Sequence, residues 1–405
     1  MTTTDDQTIA DYATVDFNHI PDQVERFVGE GMAQFDVVRE RYPDFFRSTA
    51  FGHGFWVLTN CEVQRDAYQR PDLFSSRAVS VHDPDPDYLW IPEHLDPPVH
   101  TKWRQHLSPF FSPRRIGEME ESVRQVCIDL IGEIAPKGQC DYIAEFSQKY
   151  PAAIFLSIMG VPMDQLQQFM QWEDDILHVP ATDEGVAIQA KAMNDVVAMF
   201  AEILADRRRN PGGTDLVSQS IMWEIDGQKI PDDELLSFYL LLFMVGLDTV
   251  TNELAYGTWH LATHPEDRRR IVDDPGLIPS AIEEFLRYYA IVMPGRKVTQ
   301  DVVHHGCPMK AGDMVLMPLA AATRDPAEFP DADTVLIDRE PNNHIAFGSG
   351  PHRCLGSHLA RREMRLALEE WHKRIPDYRV AEGAVIGEYV GIQLGMKNLP
   401  LVWDT

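Results

Sequence analysis

From Pro231 to Thr263 the chain reads as one long helix, and this run constrains the fold more than any other segment. Pro231 suits a first helical position, and Asp232, Asp233 and Glu234 suit the positive end of a helix dipole. His264-Pro265 ends the pattern. At about 1.5 Å per residue such a helix is roughly 50 Å long, enough to cross a whole molecule. Its centre, Leu240 to Leu247, is apolar and is followed at once by Asp248 and Thr249. A carboxylate and a hydroxyl in such a stretch are costly to bury without partners. Their presence needs a chemical reason.

Periodic helical patterns also occupy about 22–40, 61–69, 98–111, 115–135, 142–160, 164–178 and 184–209. β-like stretches lie at 55–59, 296–318 and 378–403, and Asn210-Pro-Gly-Gly213 marks a turn. The pattern predicts a mainly α chain with a small β-rich region and an irregular tail over residues 1–20. Net charge is −27, which argues against nucleic acid and anionic membrane as partners. The first residues are polar and acidic, and no uninterrupted apolar run stands out as a bilayer span, so a cytoplasmic protein is expected. Five scattered cysteines with no C-x-x-C pair fit a reducing compartment and exclude the usual zinc and iron–sulfur spacings.

One of those cysteines stands apart. Phe347-Gly-Ser-Gly-Pro-His-Arg-Cys354-Leu-Gly356 is glycine-rich and runs into a helical pattern from Leu355 to Trp371. A thiol at a helix N-terminus meets unpaired N–H groups and the positive dipole end, which predicts a lowered pKa and a thiolate. Gly348, Gly350 and Gly356 let the backbone approach something large and flat. A buried structural cysteine is the alternative. A thiolate presented this way suits axial ligation of haem iron.

The spacing Phe-x-x-Gly-x-x-x-Cys-x-Gly resembles the haem-binding signature of the cytochrome P-450 family. Gly246-Leu-Asp248-Thr249 is similar to the family's oxygen-activation segment, Glu284-Phe-Leu-Arg287 to its Glu-x-x-Arg pair, and His100-Thr-Lys-Trp-Arg104 to its propionate-binding helix. The resemblance implies one haem-thiolate monooxygenase domain over 21–405, with the cytochrome P-450 fold and the long central helix lying over haem b. Cys354 would be the axial iron ligand. Phe347, Gly348 and Gly356 would shape its loop, and His100, Arg104, Arg296 and His352 would hold the propionates. Each of these cations has the alternative of an ordinary surface charge.

Asp248 and Thr249 are the catalytic candidates. Dioxygen activation needs two protons while bulk water is kept away. A hydroxyl next to a carboxylate can supply them. The alternatives are a bond from Thr249 to a carbonyl one turn earlier and a buried salt bridge for Asp248. Gly246 permits local widening of the helix, and Val245 stands where many members carry Ala or Gly. Glu284 and Arg287 share a helix face and are read as scaffold.

The chain is most similar to the family's soluble, bacterial, camphor-hydroxylating members, through 88–98, 245–252, 358–363 and 399–404. That resemblance implies a substrate pocket lined by Leu241, Met244, Val292 and Ile392, with Tyr88 donating to a substrate ketone. Met293 and Pro294 depart from the pattern, and the stretch between Phe74-Ser-Ser76 and Tyr88 is one residue short. The expected reaction is hydroxylation of a small apolar substrate, a terpenoid or terpenoid ketone such as camphor or a norisoprenoid. Electrons would come from a 2Fe–2S ferredoxin with an NADH-dependent reductase, since no flavin or nicotinamide fingerprint is present. Lys102, Arg104, Arg114, Arg115, Arg353, Arg361 and Arg362 would form its docking patch. A peroxide-driven haem-thiolate oxygenase and a non-catalytic haem gas sensor are the rivals.

Overall fold

The computed structural model describes residues 11–19, 26–179 and 182–405. Helices dominate the middle of the chain and strands gather toward its ends, as the periodicity predicts. The segment expected over 115–135 is two helices, Pro113–Glu118 and Glu120–Ile134, with the Ser112 hydroxyl accepting from the Arg115 N–H at 3.3 Å. The segment expected over 142–160 begins with a π turn, Ile143–Ser147, and becomes α-helical only at Lys149–Met159.

Two expectations near the N-terminus need correction. The helix expected from 22 starts at Glu30 and runs to Arg41; residues 22–25 lie outside the described residues, and Arg26–Phe27 is a strand paired with Gly387–Glu388. Thr14–Val15 is not irregular either. It pairs in parallel with Arg47–Ser48, while residues 1–10 and 20 lie outside the described residues.

The largest sheet has the spatial order Thr14–Val15, Phe45–Ser48, Phe55–Leu58, Met314–Leu316, Gly295–Val298, Phe74–Ser75. Phe55–Leu58 is buried along its whole length, which explains its uninterrupted apolar sequence. Val315 pairs with Trp56 on one side and Arg296 on the other, so the sheet fixes where Arg296 stands. Away from the sheet, Phe169 packs on Phe243 and Phe200 at ring separations of 5.4 and 6.3 Å. This aromatic cluster ties the long Asp183–Arg209 helix to the central one.

The central helix is not continuous. Asp232–Gly246 and Asp248–Thr263 meet at Leu247, whose φ of −105° and ψ of −67° depart from the ideal of a regular α-helix. The first bond beyond the break, from Thr251 N–H to the Leu247 carbonyl, stretches to 3.4 Å. Sequence periodicity could not show this, because apolar spacing continues across the break. By length and composition Asp232–Thr263 would suffice to cross a membrane, contrary to the expectation. Yet more than half of its most apolar window is buried inside the protein, where it forms the wall of the main cavity.

Candidate active site

A cavity of about 1840 Å³ opens between the two halves of the central helix, the Tyr88–Glu93 segment, the residues around Arg296 and the Cys354 loop. The loop's path rests on glycine at two points. Gly348 and Gly350 have φ of +69° and +68°, and a Cβ on Gly350 would lie 2.2 Å from the Tyr68 carbonyl. The Cys354 N–H donates to the Phe347 carbonyl at 2.8 Å, which closes the loop and turns the thiol toward the cavity.

Two expectations for Cys354 are corrected here. The following helix begins only at Ser357, with Gly356 as its cap, so the thiol lies ahead of the helix rather than in its first turn. Its pKa is raised, not lowered: burial outweighs the Gly356 N–H that points at sulfur and the nearby Arg104 charge. The residue has open surface toward the cavity but is enclosed by protein on its other sides. A bare thiolate is therefore disfavoured, and a metal ion at the sulfur would supply the missing charge.

The groups around it fit haem. His100 and His352 stack with ring centroids 3.9 Å apart. Nδ1 of His100 and both ring nitrogens of His352 are buried without hydrogen-bond partners. Arg104 donates to the Arg353 carbonyl at 2.9 Å. Arg296 is buried, donates to its neighbour Gly295 at 2.7 Å, and lies 3.8 Å from Glu93. His352 Nδ1, 3.7 Å from Glu93, and Arg296 thus share one acid. Burial alone would raise the Glu93 carboxyl, but His352, Arg296 and His100 together hold it at about 2. Unsatisfied donors in a closed space call for an anion, and two haem propionates meet that need. His100 alone among these groups does not line the cavity and reaches it through His352.

Asp248 and Thr249 also line the cavity. The Thr249 hydroxyl donates to the Val245 carbonyl at 3.1 Å, the alternative noted from the sequence. Asp248 is 2% exposed and well partnered. It accepts from the Tyr389 hydroxyl (2.8 Å), Asn252 Nδ2 (2.8 Å) and Gln393 Nε2, and His178 Nε2 lies 3.4 Å away. Burial works against a charged His178, yet Asp174 and Asp248 raise it to about 10. It is a cation at neutral pH, so the buried salt bridge foreseen for Asp248 is present.

Several of these residues escaped sequence reasoning. Asn252 was legible as the i+4 neighbour of Asp248. Tyr389, Gln393 and His178 lie 70 or more positions away from Asp248 in sequence, and no local pattern marks them. Glu173, Glu253 and Glu363 are buried acids raised well above the ordinary carboxyl range, chiefly by burial. Glu253 and Glu363 face the cavity, and Glu253 has one oxygen without a partner.

Tyr88, Leu241, Met244, Val292 and Ile392 all line the cavity, as do Phe347, Gly348 and Gly356. Burial, with Asp83 nearby, raises the pKa of the Tyr88 hydroxyl. The docking patch is largely neutralised: Lys102 pairs with Asp226, Arg114 and Arg115 with Glu118, Arg361 with Glu283, and Arg362 with Glu120. Only Arg104 and Arg353 lack an acidic partner among the described residues.

Comparison with known proteins identifies the family. The family model described as cytochrome P450 matches residues 276–371, which hold Glu284, Arg287 and the Cys354 loop. Probable cytochrome P450 127A1 of Sinorhizobium fredii is 33% identical over 93% of this chain and 90% of its own. The methyl-branched lipid omega-hydroxylase of Mycobacterium tuberculosis is 33% identical over 87% of this chain and 85% of its own. The crystal structure of CYP101J2 superposes with a TM-score of 0.86 at 30% identity, covering 100% of both chains. The chain belongs to the cytochrome P450 family and is a monooxygenase that binds haem b through a cysteine thiolate.

Proposed function

We propose that this monooxygenase hydroxylates a compact, apolar substrate of the terpenoid class, a ketone above all, with electrons from a 2Fe–2S ferredoxin. The observation that carries the reading is the cavity wall, where Leu241, Met244, Val292 and Ile392 line the space and Tyr88 is one of three phenols, with Tyr68 and Tyr389. Few polar groups in an apolar pocket fix orientation rather than supply affinity. Burial raises the pKa of the Tyr88 phenol, which therefore stays protonated and can donate to a ketone.

Bound haem supplies the iron at which dioxygen is activated for insertion into a C–H bond. Cys354 would hold that iron through its thiolate, while Arg104, Arg296, His100 and His352 would bind the propionates. Protons enter from the His178 side, where the imidazolium meets Asp248. Asp248 would relay a proton from the His178 imidazolium to the Thr249 hydroxyl, which would leave the Val245 carbonyl, turn toward the cavity and give up its own proton there as it takes the relayed one. With Arg104 committed to a propionate, Arg353 is the patch charge left for an acidic ferredoxin, so the reduction rate should fall with added salt.

A second reading, an extended lipid chain, is favoured by the reach of the cavity to Met193 and Val197 on the Asp183–Arg209 helix and by the omega-hydroxylase among the relatives. Titrating the ferric protein with camphor, a norisoprenoid ketone and a methyl-branched fatty acid decides between them. A ketone-induced high-spin shift of the Soret band, weakened in Tyr88→Phe, supports the terpenoid ketone. A response to the fatty acid alone overturns it.

A further inference from the structure

Away from the haem cavity, three ligand-bearing side chains converge. Asp66 stands on the Cys61–Tyr68 helix; His304 and His305 stand at the turn joining Val302–His304 to Cys307–Met309. Asp66 Oδ2 lies 3.6 Å from His304 Nδ1 and 3.3 Å from His305 Nε2, and all three ligand atoms fall within 4.8 Å of one another. Ligands about 2.0–2.1 Å from a tetrahedral ion sit roughly 3.3–3.4 Å apart. Two of the three edges already have close to that length.

His304 supplies an independent observation. Its Nε2 is 3.0 Å from the Val63 carbonyl, and a carbonyl can only accept, so Nε2 carries the proton. In the neutral ring, Nδ1 then turns a bare lone pair toward the Asp66 carboxylate. Two acceptors facing each other repel, and a cation between them reverses the sign. A carbonyl that fixes the tautomer of a ligating histidine is the usual outer support of a metal site. His304 is 3% exposed and its ring is further held by Phe74 at 4.9 Å, so the lone pair is aimed rather than free to turn. The His305 backbone, at φ +47°, brings its ring back beside His304 at 4.7 Å. Arg70, the nearby cation, is drawn off toward Asp72 at 3.6 Å.

We propose that Asp66, His304 and His305 bind a divalent transition-metal ion. Two imidazoles and one carboxylate suit Zn²⁺, with water completing the shell on the open side. The ion would clamp the hairpin to a helix whose end braces the cysteine loop: the Tyr68 carbonyl abuts Gly350, and Gln69 donates to Ser349 at 3.4 Å.

The test uses the haem-loaded protein, stripped with chelator and titrated with Zn²⁺ by calorimetry, alongside Asp66→Asn and His305→Asn. Asparagine tolerates the left-handed backbone at 305, so the second variant preserves the turn. One-to-one micromolar binding is expected, weakened about tenfold or more in each variant. Zn²⁺ should raise the thermal midpoint of the parent protein and leave both variants unmoved. The absence of saturable binding below millimolar Zn²⁺ overturns the proposal. So does equal binding by the parent and both variants, which would place the ion elsewhere.

Discussion

Glu284→Gln is the sharpest test of how the haem side of this protein is held. Glu284 and Arg287 are both fully buried. The carboxylate accepts from Arg287 Nη2 (2.7 Å) and Nε (2.8 Å), from Arg339 Nε (2.9 Å), from the Leu336 N–H (2.8 Å) and from Asn342 Nδ2 (3.1 Å). Arg287 in turn donates to the carbonyls of Thr323 (3.1 Å), Ala332 (2.8 Å) and Thr334 (2.9 Å). One carboxylate thus fastens the segment from Thr323 to Asn342 that leads into the cysteine loop. Removing its charge leaves two buried guanidiniums without a counter-ion, a loss of about 3–5 kcal/mol. The amide NH₂ that replaces one oxygen faces donors, adding about 1–3 kcal/mol.

The expected sum is roughly 4–8 kcal/mol, which at about 2 °C per kcal/mol lowers the thermal midpoint by about 8–16 °C. Asp301→Asn is the control. It breaks an exposed pair with Lys310, their side chains 63% and 72% exposed, and such screened pairs contribute little to stability. Thermal loss of the Soret band at one scan rate, with the reduced carbonyl complex recorded before heating, measures both variants. If Glu284→Gln melts with Asp301→Asn, the carboxylate does not hold the loop and the reasoning fails.

Cys354→Ser should give protein whose reduced carbonyl complex lacks the thiolate signature; an unchanged spectrum would remove Cys354 from the iron. Asp248→Asn should slow product formation by about 10²-fold or more and enlarge the solvent isotope effect, with substrate-induced spectral shifts retained; unaltered turnover would show that protons take another path. The His178 pKa is raised from 6.5 to about 10, so its stabilising charge is fully present below about pH 6.5 and is lost as pH rises through 10. Asp248→Asn should flatten that alkaline loss in the thermal midpoint. Glu283 behaves oppositely. Burial raises its pKa, but Arg361 and His344 bring it from 4.5 down to about 2, so its contribution is complete above 4.5 and disappears as pH falls through 2. Arg361→Gln should therefore make acid release of haem begin at higher pH.

Local pattern carried the reading of the sequence, and partners distant along the chain limited it. The cysteine loop and the Asp248-Thr249 pair were legible because each puts rare chemistry into a short segment. The helix break at Leu247 was not, since apolar residues continue through it and only the backbone angles reveal it. The thiol's pKa was misjudged because the sequence displays the glycines and the following helix but not the enclosure that desolvates sulfur. The patch of seven cations looked positive in sequence. Glu118, Glu120, Glu283 and Asp226 neutralise five of them, three of the pairs joining elements distant along the chain.

The buried polar groups fall into two kinds, and the difference explains what each does. Around Glu284 both carboxylate oxygens and both guanidiniums find protein partners, with only Asn342 Oδ1 left bare, so the network serves as structure. Around Cys354 the reverse holds. His100 and His352 keep buried nitrogens without hydrogen-bond partners, Arg296 leans on the Gly295 carbonyl, and the thiol is pushed away from ionisation. Such a set is unfavourable standing alone, because desolvation is incurred without compensation. It becomes favourable when one ligand brings a cation to sulfur and anions to the histidines and arginines. A metalloporphyrin with two carboxylates supplies both charges in a single rigid plane. Asp248 lies between the two kinds: its bonds to Tyr389, Gln393 and Asn252 hold it in place, and its remaining contact, His178, is the one that can exchange a proton.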